Sequence, residues 1–185
     1  VPLFVLGLVL FPNAKTQIWA HEPRYVTMIQ QCLQSSGQFG IVRSDGRGGI
    51  EEFGTLVKIE AAEACIGSMH HLYTQGTTIL LKVVGKYRIQ LSSCELNPSG
   101  YWVGKASKAV DSIDPAAAQM LDQLKIVAEK KARELQLLNH VTEPVPSDPR
   151  QFSFFLANNL RMHQHTRYAM LKEFDTAKRL GLLCK

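Results

Sequence analysis

The stretch VPLFVLGLVLFPNAKTQIWAHEPRY, Val1–Tyr25, decides how the chain is read. Its first eleven residues are apolar throughout, as the core of a signal peptide would be. Three features argue otherwise. No basic segment precedes the run and no small-residue cleavage site follows it. Pro2 and Gly7 would interrupt a helix. The run is also well short of the ~18 residues that cross a bilayer. It reads as a buried strand over Leu3–Leu6, then Leu8–Phe11 running into a turn at Pro12-Asn13. Thr16–Trp19 alternates as a second strand. Glu22-Pro23-Arg24-Tyr25 then opens a helix. Proline loses no needed N–H at the first helical position, and Glu22 meets the positive end of the helix dipole. Tyr25, Met28, Ile29, Cys32 and Leu33 form a one-face stripe at helical spacing, and Gly37 suits the C-terminal cap.

Working outward, Phe39–Arg43, Gly54–Ala62 and Thr77–Val84 read as strands. Lys86–Leu91 continues the last of these past Gly85, and Tyr101–Ala106 is the final strand. Asp45–Gly49 and Glu63–Gly76 read as loops. Six or seven strands in about 105 residues, with one helix inserted early, favour a partly closed antiparallel barrel. The period changes near Asp114-Pro115, which caps a long helix. Ala117, Leu121, Leu124, Ala128, Ala132, Leu135 and Leu138 form its stripe. Glu143-Pro144-Val145-Pro146 is a stiff connector. Ser147-Asp148-Pro149 starts a second helix carrying Phe152, Phe155, Leu156 and Leu160. A third runs from about Thr166 through Met170, Leu171 and Phe174, and Asp175 caps a short fourth around Leu180. The class is therefore α+β, with a barrel lobe over 1–115 and a helical subdomain over 116–185.

At 185 residues the chain is about one domain or a domain plus a subdomain. With 45% hydrophobic and 20% charged residues, it is neither disordered, collagenous nor a polytopic membrane protein. The net charge is +5 and unevenly spread. Residues 1–115 hold ten basic and nine acidic groups, and residues 116–185 hold eleven and seven. Interleaving of that kind marks a solvated helix face. Cys32, Cys65, Cys94 and Cys184 make no C-x-x-C pair and no zinc-finger spacing, so they read as free thiols in a reducing cytosol.

Several chemistries lack their motif. Gly85-Lys86 is followed by Tyr87 and has Leu80 where a phosphate-binding loop needs its first glycine. There is no G-x-S-x-G and no H-E-x-x-H. His70-His71 and His163-x-His165 lack a carboxylate or cysteine at a suitable offset, so no metal is expected. No acid pair suited to general acid–base work appears. No catalytic residue and no cofactor are expected.

Several segments carry a family resemblance. Val1-Pro2-Leu3-Phe4, Leu8-Val9-Leu10-Phe11-Pro12 and Glu22-Pro23-Arg24-Tyr25 with Met28 come first. Phe39-Gly40-Ile41-Val42 and Gly54-Thr55-Leu56-Val57-Lys58-Ile59 follow. Leu81 to Ile89 matches V-x-G-x-x-R-F/Y-x-I, and Arg167-Tyr168-Ala169-Met170-Leu171 with Arg179-Leu180 resembles K-Q-x-L-L-E…R-L. In this order and over nearly the whole chain, they resemble the N-terminal substrate-binding domain of the Lon (La) ATP-dependent proteases. They resemble still more the stand-alone proteins made of that domain. The chain departs from the pattern in four places. Val5 replaces a proline, and Asn13 replaces a glycine whose positive φ asparagine also tolerates. His21 replaces a phenylalanine, and the loop Glu63–Gly76 is longer than usual.

The resemblance implies a PUA-like antiparallel pseudo-β-barrel followed by helices. It also implies a non-catalytic cytoplasmic module for unfolded or hydrophobic polypeptide. Phe11, Trp19, Met69 and Leu72 are the candidate contacts, with burial in the barrel core the alternative for Phe11 and Trp19. Glu22, Pro23, Arg24 and Tyr25 read as structural, fixing the helix onto the barrel. PUA-like barrels elsewhere bind RNA, and Arg161, Arg167 and Tyr168 hint at a basic-aromatic patch. Nucleic acid is nonetheless the less favoured partner, and no membrane partner is expected.

Overall fold

The strand alternation of the N-terminal part closes most of a barrel. In the computed structural model, residues 1–66, 77–111, 118–134, 136, 138–139, 141 and 143–183 are described. The strands are β1 (Pro2–Leu6), β2 (Lys15–Ala20), β3 (Gln38–Ser44), β4 (Ile50–Ile66), β5 (Thr77–Leu96) and β6 (Trp102–Lys108). The helix α1 (Pro23–Leu33) lies between β2 and β3. After the strands come α2 (Ala118–Glu134), α3 (Pro149–Asn159), α4 (Gln164–Lys172) and α5 (Thr176–Leu183).

The sheet order is β2-β5-β4-β3-β1-β6, with β6 also paired to β5. Thus β1, β3, β4, β5 and β6 form a ring, and β2 lies outside it on the first half of β5. The ring is not a regular barrel. Only two residue pairs join β1 to β6, and register shifts interrupt β3–β4, β4–β5 and β5–β6. All pairings are antiparallel except β1–β3. That one is parallel because the chain returns to β1's neighbour through β2 and α1, the long crossover a parallel pair needs.

Four packed clusters follow. Leu3, Val42, Leu56, Ile89 and Leu91 fill the ring. Phe4, Phe39, Val57, Leu81 and Val83 meet α1 on one outer side. Val9, Phe11, Phe53 and Ala109 meet Phe154, Ala157, Tyr168, Met170 and Leu171 on the other. Ala128, Ala132, Phe152, Phe155, Leu156 and Leu180 form the core between the helices. The change of period read near residue 115 falls within 112–117, which lie outside the described residues, as do Ala117 and Leu135.

The strands outrun their sequence reading. β4 starts at Ile50 and ends at Ile66, and β5 runs unbroken to Leu96. Cross-strand pairing extends to Cys65↔Thr78 and Ile66↔Thr77, so the start of the expected loop Glu63–Gly76 is strand. Leu33 is exposed, unlike the rest of the α1 stripe. Each helical residue advances about 100°, which puts Leu33 about 80° round from Tyr25 at the stripe's edge. Phe174 lies in the coil after α4 rather than in the helix.

The turn at Phe11–Ala14 sets the path of the N-terminus. Ala14 N–H donates to Phe11 O at 3.2 Å across Pro12-Asn13. Asn13 holds φ +64°, as the third residue of a type II turn must. Asn13 N–H then donates to Gly85 O at 2.8 Å and Gly85 N–H to Ala14 O at 2.9 Å, a G1 bulge that launches β2 along β5. A Cβ on Gly85 would collide with the Phe11 carbonyl oxygen. Gly85→Ala should therefore destabilise the fold by about 1–3 kcal/mol in urea denaturation. Gly7→Ala, where a Cβ meets nothing within 4 Å, should stay within about 0.5 kcal/mol.

Candidate functional site

A charge in the middle of an apolar strand needs a buried partner. Arg88 of β5 finds one at the seam between ring and helices. Arg88 and Arg179 of α5 both donate to the carboxylate of Asp111, just after β6, and all three side chains are almost wholly buried. Arg88 Nη1 also donates to the carbonyl oxygens of Leu171 and Glu173, both at 2.7 Å. Arg179 Nη1 reaches Glu173 O at 2.5 Å, and Arg179 Nε reaches Ser153 Oγ at 3.1 Å. Thr176 Oγ1 accepts from Arg179 at 2.9 Å and donates to Asp111 Oδ2 at 2.9 Å. The ring of Phe154 lies under both guanidinium groups, at 5.2 Å from Arg88 and 4.3 Å from Arg179. Burial pulls the Arg88 guanidinium below its ordinary value, and Asp111 opposes that pull.

Two open cavities lie along the same seam. The first, of about 390 Å³, has Phe154 and Ala109 in its floor and Lys86, Lys108 and Arg150 in its walls, with Pro12, Asn13, Tyr87, Val110 and Asp148 around them. Lys108 Nζ sits 5.2 Å from the centre of the Tyr87 ring. The second, of about 330 Å³, lies between the turn Pro12–Lys15 and Pro144, Pro146 and Phe155. Both are lined by Pro12, Asn13 and Gln151, so they adjoin. The helical wall is set by the N-terminus of α3. Pro149 takes the first helical position, and Asp148 Oδ1 accepts from Gln151 N–H at 2.8 Å. The Pro-rich connector before it forms the outer wall of the second cavity.

The sequence candidates scatter. Phe11 is fully buried, with Phe154 at 5.9 Å and the Arg167 guanidinium 4.8 Å over its ring, so it presents no surface to a ligand. Trp19 is 37% exposed on β2, opposite Leu80 of β5, on a face away from the seam. Met69 and Leu72 lie outside the described residues, as do His70 and His71. His163 takes the N-cap position of α4 without a side-chain cap bond, and His165 is exposed.

Tyr25 stacks on Phe4 with ring centres 4.0 Å apart, and its hydroxyl lies 3.3 Å from Val5 N and 3.4 Å from Val5 O. It thereby ties α1 to β1. Glu22 is the N-cap of α1 and Pro23 its first residue. Glu22 makes no side-chain cap bond and pairs instead with Arg24 at 2.7 Å, and Arg24 covers the Tyr25 ring from the solvent side. The basic-aromatic patch read at Arg161, Arg167 and Tyr168 does not form. Arg167 turns inward to Val9 O and Ala157 O, and the Tyr168 hydroxyl accepts from Phe53 N–H at 3.3 Å. Burial pushes the Tyr168 phenol up to about 12.

Asp111, Lys86, Lys108 and Arg150 were not singled out from the sequence. Asp111 carries no local motif. The available signal was Arg88 itself, a cation set between Tyr87 and Ile89 in an otherwise alternating strand.

The family model described as the ATP-dependent protease La (LON) substrate-binding domain matches residues 1–185. The crystal structure of a Lon N-terminal domain protein from Xanthomonas campestris superposes with a TM-score of 0.67 at 26% identity, covering 99% of this chain and 95% of that one. The N-terminal domain of the Lon protease of the Mycobacterium avium complex gives 0.69 at 16% identity with the same coverage, a likeness of fold. No curated protein sequence matches the chain.

Asp111→Asn leaves two buried guanidinium groups without a counter-charge. It should lower stability by about 3–5 kcal/mol in urea denaturation. Replacing Arg88, Asp111 and Arg179 together by apolar residues of similar volume should do less harm than that single change.

Proposed function

We propose, from the premise that the chain belongs to the LON substrate-binding domain family, that it is a non-catalytic module, in stand-alone form, that binds unfolded or apolar polypeptide segments. Only this domain is found within the 185 residues, with no ATPase or protease domain among them. The observation that carries the reading is the pair of adjoining cavities at the seam. Together they make an open groove, with charged walls over an apolar floor in the first cavity and proline and aromatic walls in the second. Apolar contact is non-directional, so a groove of this kind accepts many sequences. The lobes 1–115 and 116–185 supply its opposite walls. The outer face of β2, with Trp19 beside Leu80, offers a second apolar contact for a longer segment.

The three described cysteines are unpaired, which suits a reducing cytoplasm. Among the described residues no helix is long and apolar enough to cross a membrane.

Reduced, carboxymethylated lactalbumin, a permanently unfolded probe, should bind saturably with a Kd on the order of tens of micromolar, read by tryptophan fluorescence. Gln151→Trp, which fills the wall shared by the two cavities, should weaken binding about tenfold or more with little loss of stability. Trp19→Ala should weaken it less. An absence of saturable binding to the unmodified protein would contradict the reading.

A further inference from the structure

We infer that the larger cavity selects polypeptide segments in which a carboxylate lies next to an apolar side chain. The inference rests on the polypeptide-binding reading above. Its basis is an imbalance of charge at the cleft. Lys86, Lys108 and Arg150 line it, and none of them forms an ion pair with a carboxylate among the described residues. Of the two acids in the same lining, only Asp111 is paired with a cation. Asp111 holds Arg88 and Arg179, and Asp148 holds the Gln151 N–H. Three cations and one carboxylate outside any ion pair, that of Asp148, therefore face one cleft, which leaves it a net positive charge.

The three come from three elements: Lys86 from β5, Lys108 from β6 and Arg150 from the first turn of α3. Their convergence is made by the same seam that buries Arg88. Lys108 is held over the Tyr87 ring, which limits the positions its ammonium group takes. Between these cations the floor is apolar, formed by the buried Phe154 and Ala109, and Val110 stands exposed at the rim. An apolar side chain fits the floor while an adjacent carboxylate meets the cations.

The same charges would attract a phosphate backbone. A base, however, needs an aromatic face to stack on. Tyr87 is covered by Lys108 and Phe154 is buried under two guanidinium groups, so the cleft favours a peptide over RNA.

The test is fluorescence anisotropy with labelled decapeptides at low salt. One alternates leucine and aspartate, and one alternates leucine and asparagine. Each is made with a free and with an amidated C-terminus. The acidic peptide should bind about tenfold tighter, with the difference shrinking as salt screens the charges. Lys86→Gln, Lys108→Gln and Arg150→Gln combined should abolish the difference. Lys86→Arg, Lys108→Arg and Arg150→Lys combined should keep it, which separates loss of charge from loss of fold. A drop on amidation assigns the contact to the chain's terminal carboxylate, and no change assigns it to side chains. Equal affinity for acidic and neutral peptides would overturn the inference while leaving polypeptide binding intact. Displacement of the peptide by oligouridylate at concentrations below the peptide's own Kd would overturn it in favour of nucleic acid. If neither peptide nor unfolded lactalbumin binds, both readings fail.

Discussion

The carboxylate of Asp111, held between the guanidinium groups of Arg88 and Arg179, is the constraint on which the rest of the structure depends. Two permanent cations and one anion are taken almost wholly out of water. That is tolerable only where every remaining donor finds an acceptor and the geometry is rigid. The carbonyl oxygens of Leu171 and Glu173, the hydroxyls of Ser153 and Thr176 and the ring of Phe154 supply those partners. They come from α3, α4, α5 and the coil between α4 and α5, and they close on Arg88 of β5 and on Asp111, three residues past β6. Ring and helices therefore cannot separate without exposing a half-neutralised site. The packing of Phe11, Phe53 and Ala109 against Phe154, Tyr168 and Met170 surrounds the node with apolar surface and seals it.

The groove is a by-product of the same seam. Once Arg88 fixes β5 against α5, the turn at Pro12-Asn13 and the connector at Pro144–Pro146 face each other without meeting. Above the node, Lys86 of the same strand and Lys108 of the neighbouring β6 flank Arg88, and α3 brings Arg150 to the same side. The C-terminal excess of positive charge changes meaning in this light. Arg167 and Arg179 are folded into the structure as buried donors, and α2 neutralises much of its own charge through Lys125, Glu129 and Arg133. The unpaired cations of interest lie at the cleft rather than along a helix face.

Local signals in the sequence specify structure where local physics decides. Pro12-Asn13 specified a turn with positive φ, Pro23 and Pro149 marked helix starts, and Asp175 caps α5 through the Ala177 and Lys178 amides. Family motifs carried the fold: Gly54 and Gly85 stand where a Cβ would strike a neighbouring carbonyl oxygen, and Arg88 and Arg179 form the node. What the sequence hid was long-range. Nothing near Asp111 indicates that it bridges residues 23 and 68 positions away. Phe11, Arg167 and Tyr168 have surface-type alternatives that only the docking of α3 and α4 removes. His21 shows the converse. Its Nδ1 is buried without a partner among the described residues, at a position where the resemblance implies phenylalanine.

Native-state hydrogen exchange tests most directly whether the buried node makes barrel and helices one cooperative body. Amides of β5 around Arg88 and amides of α5 around Arg179 should open with the same free energy. In an Arg179→Met variant both sets should lose protection together. If the α5 amides open far more readily than those of β5, and the variant changes only the helical set, the node does not couple the two parts and the seam is not a fixed site.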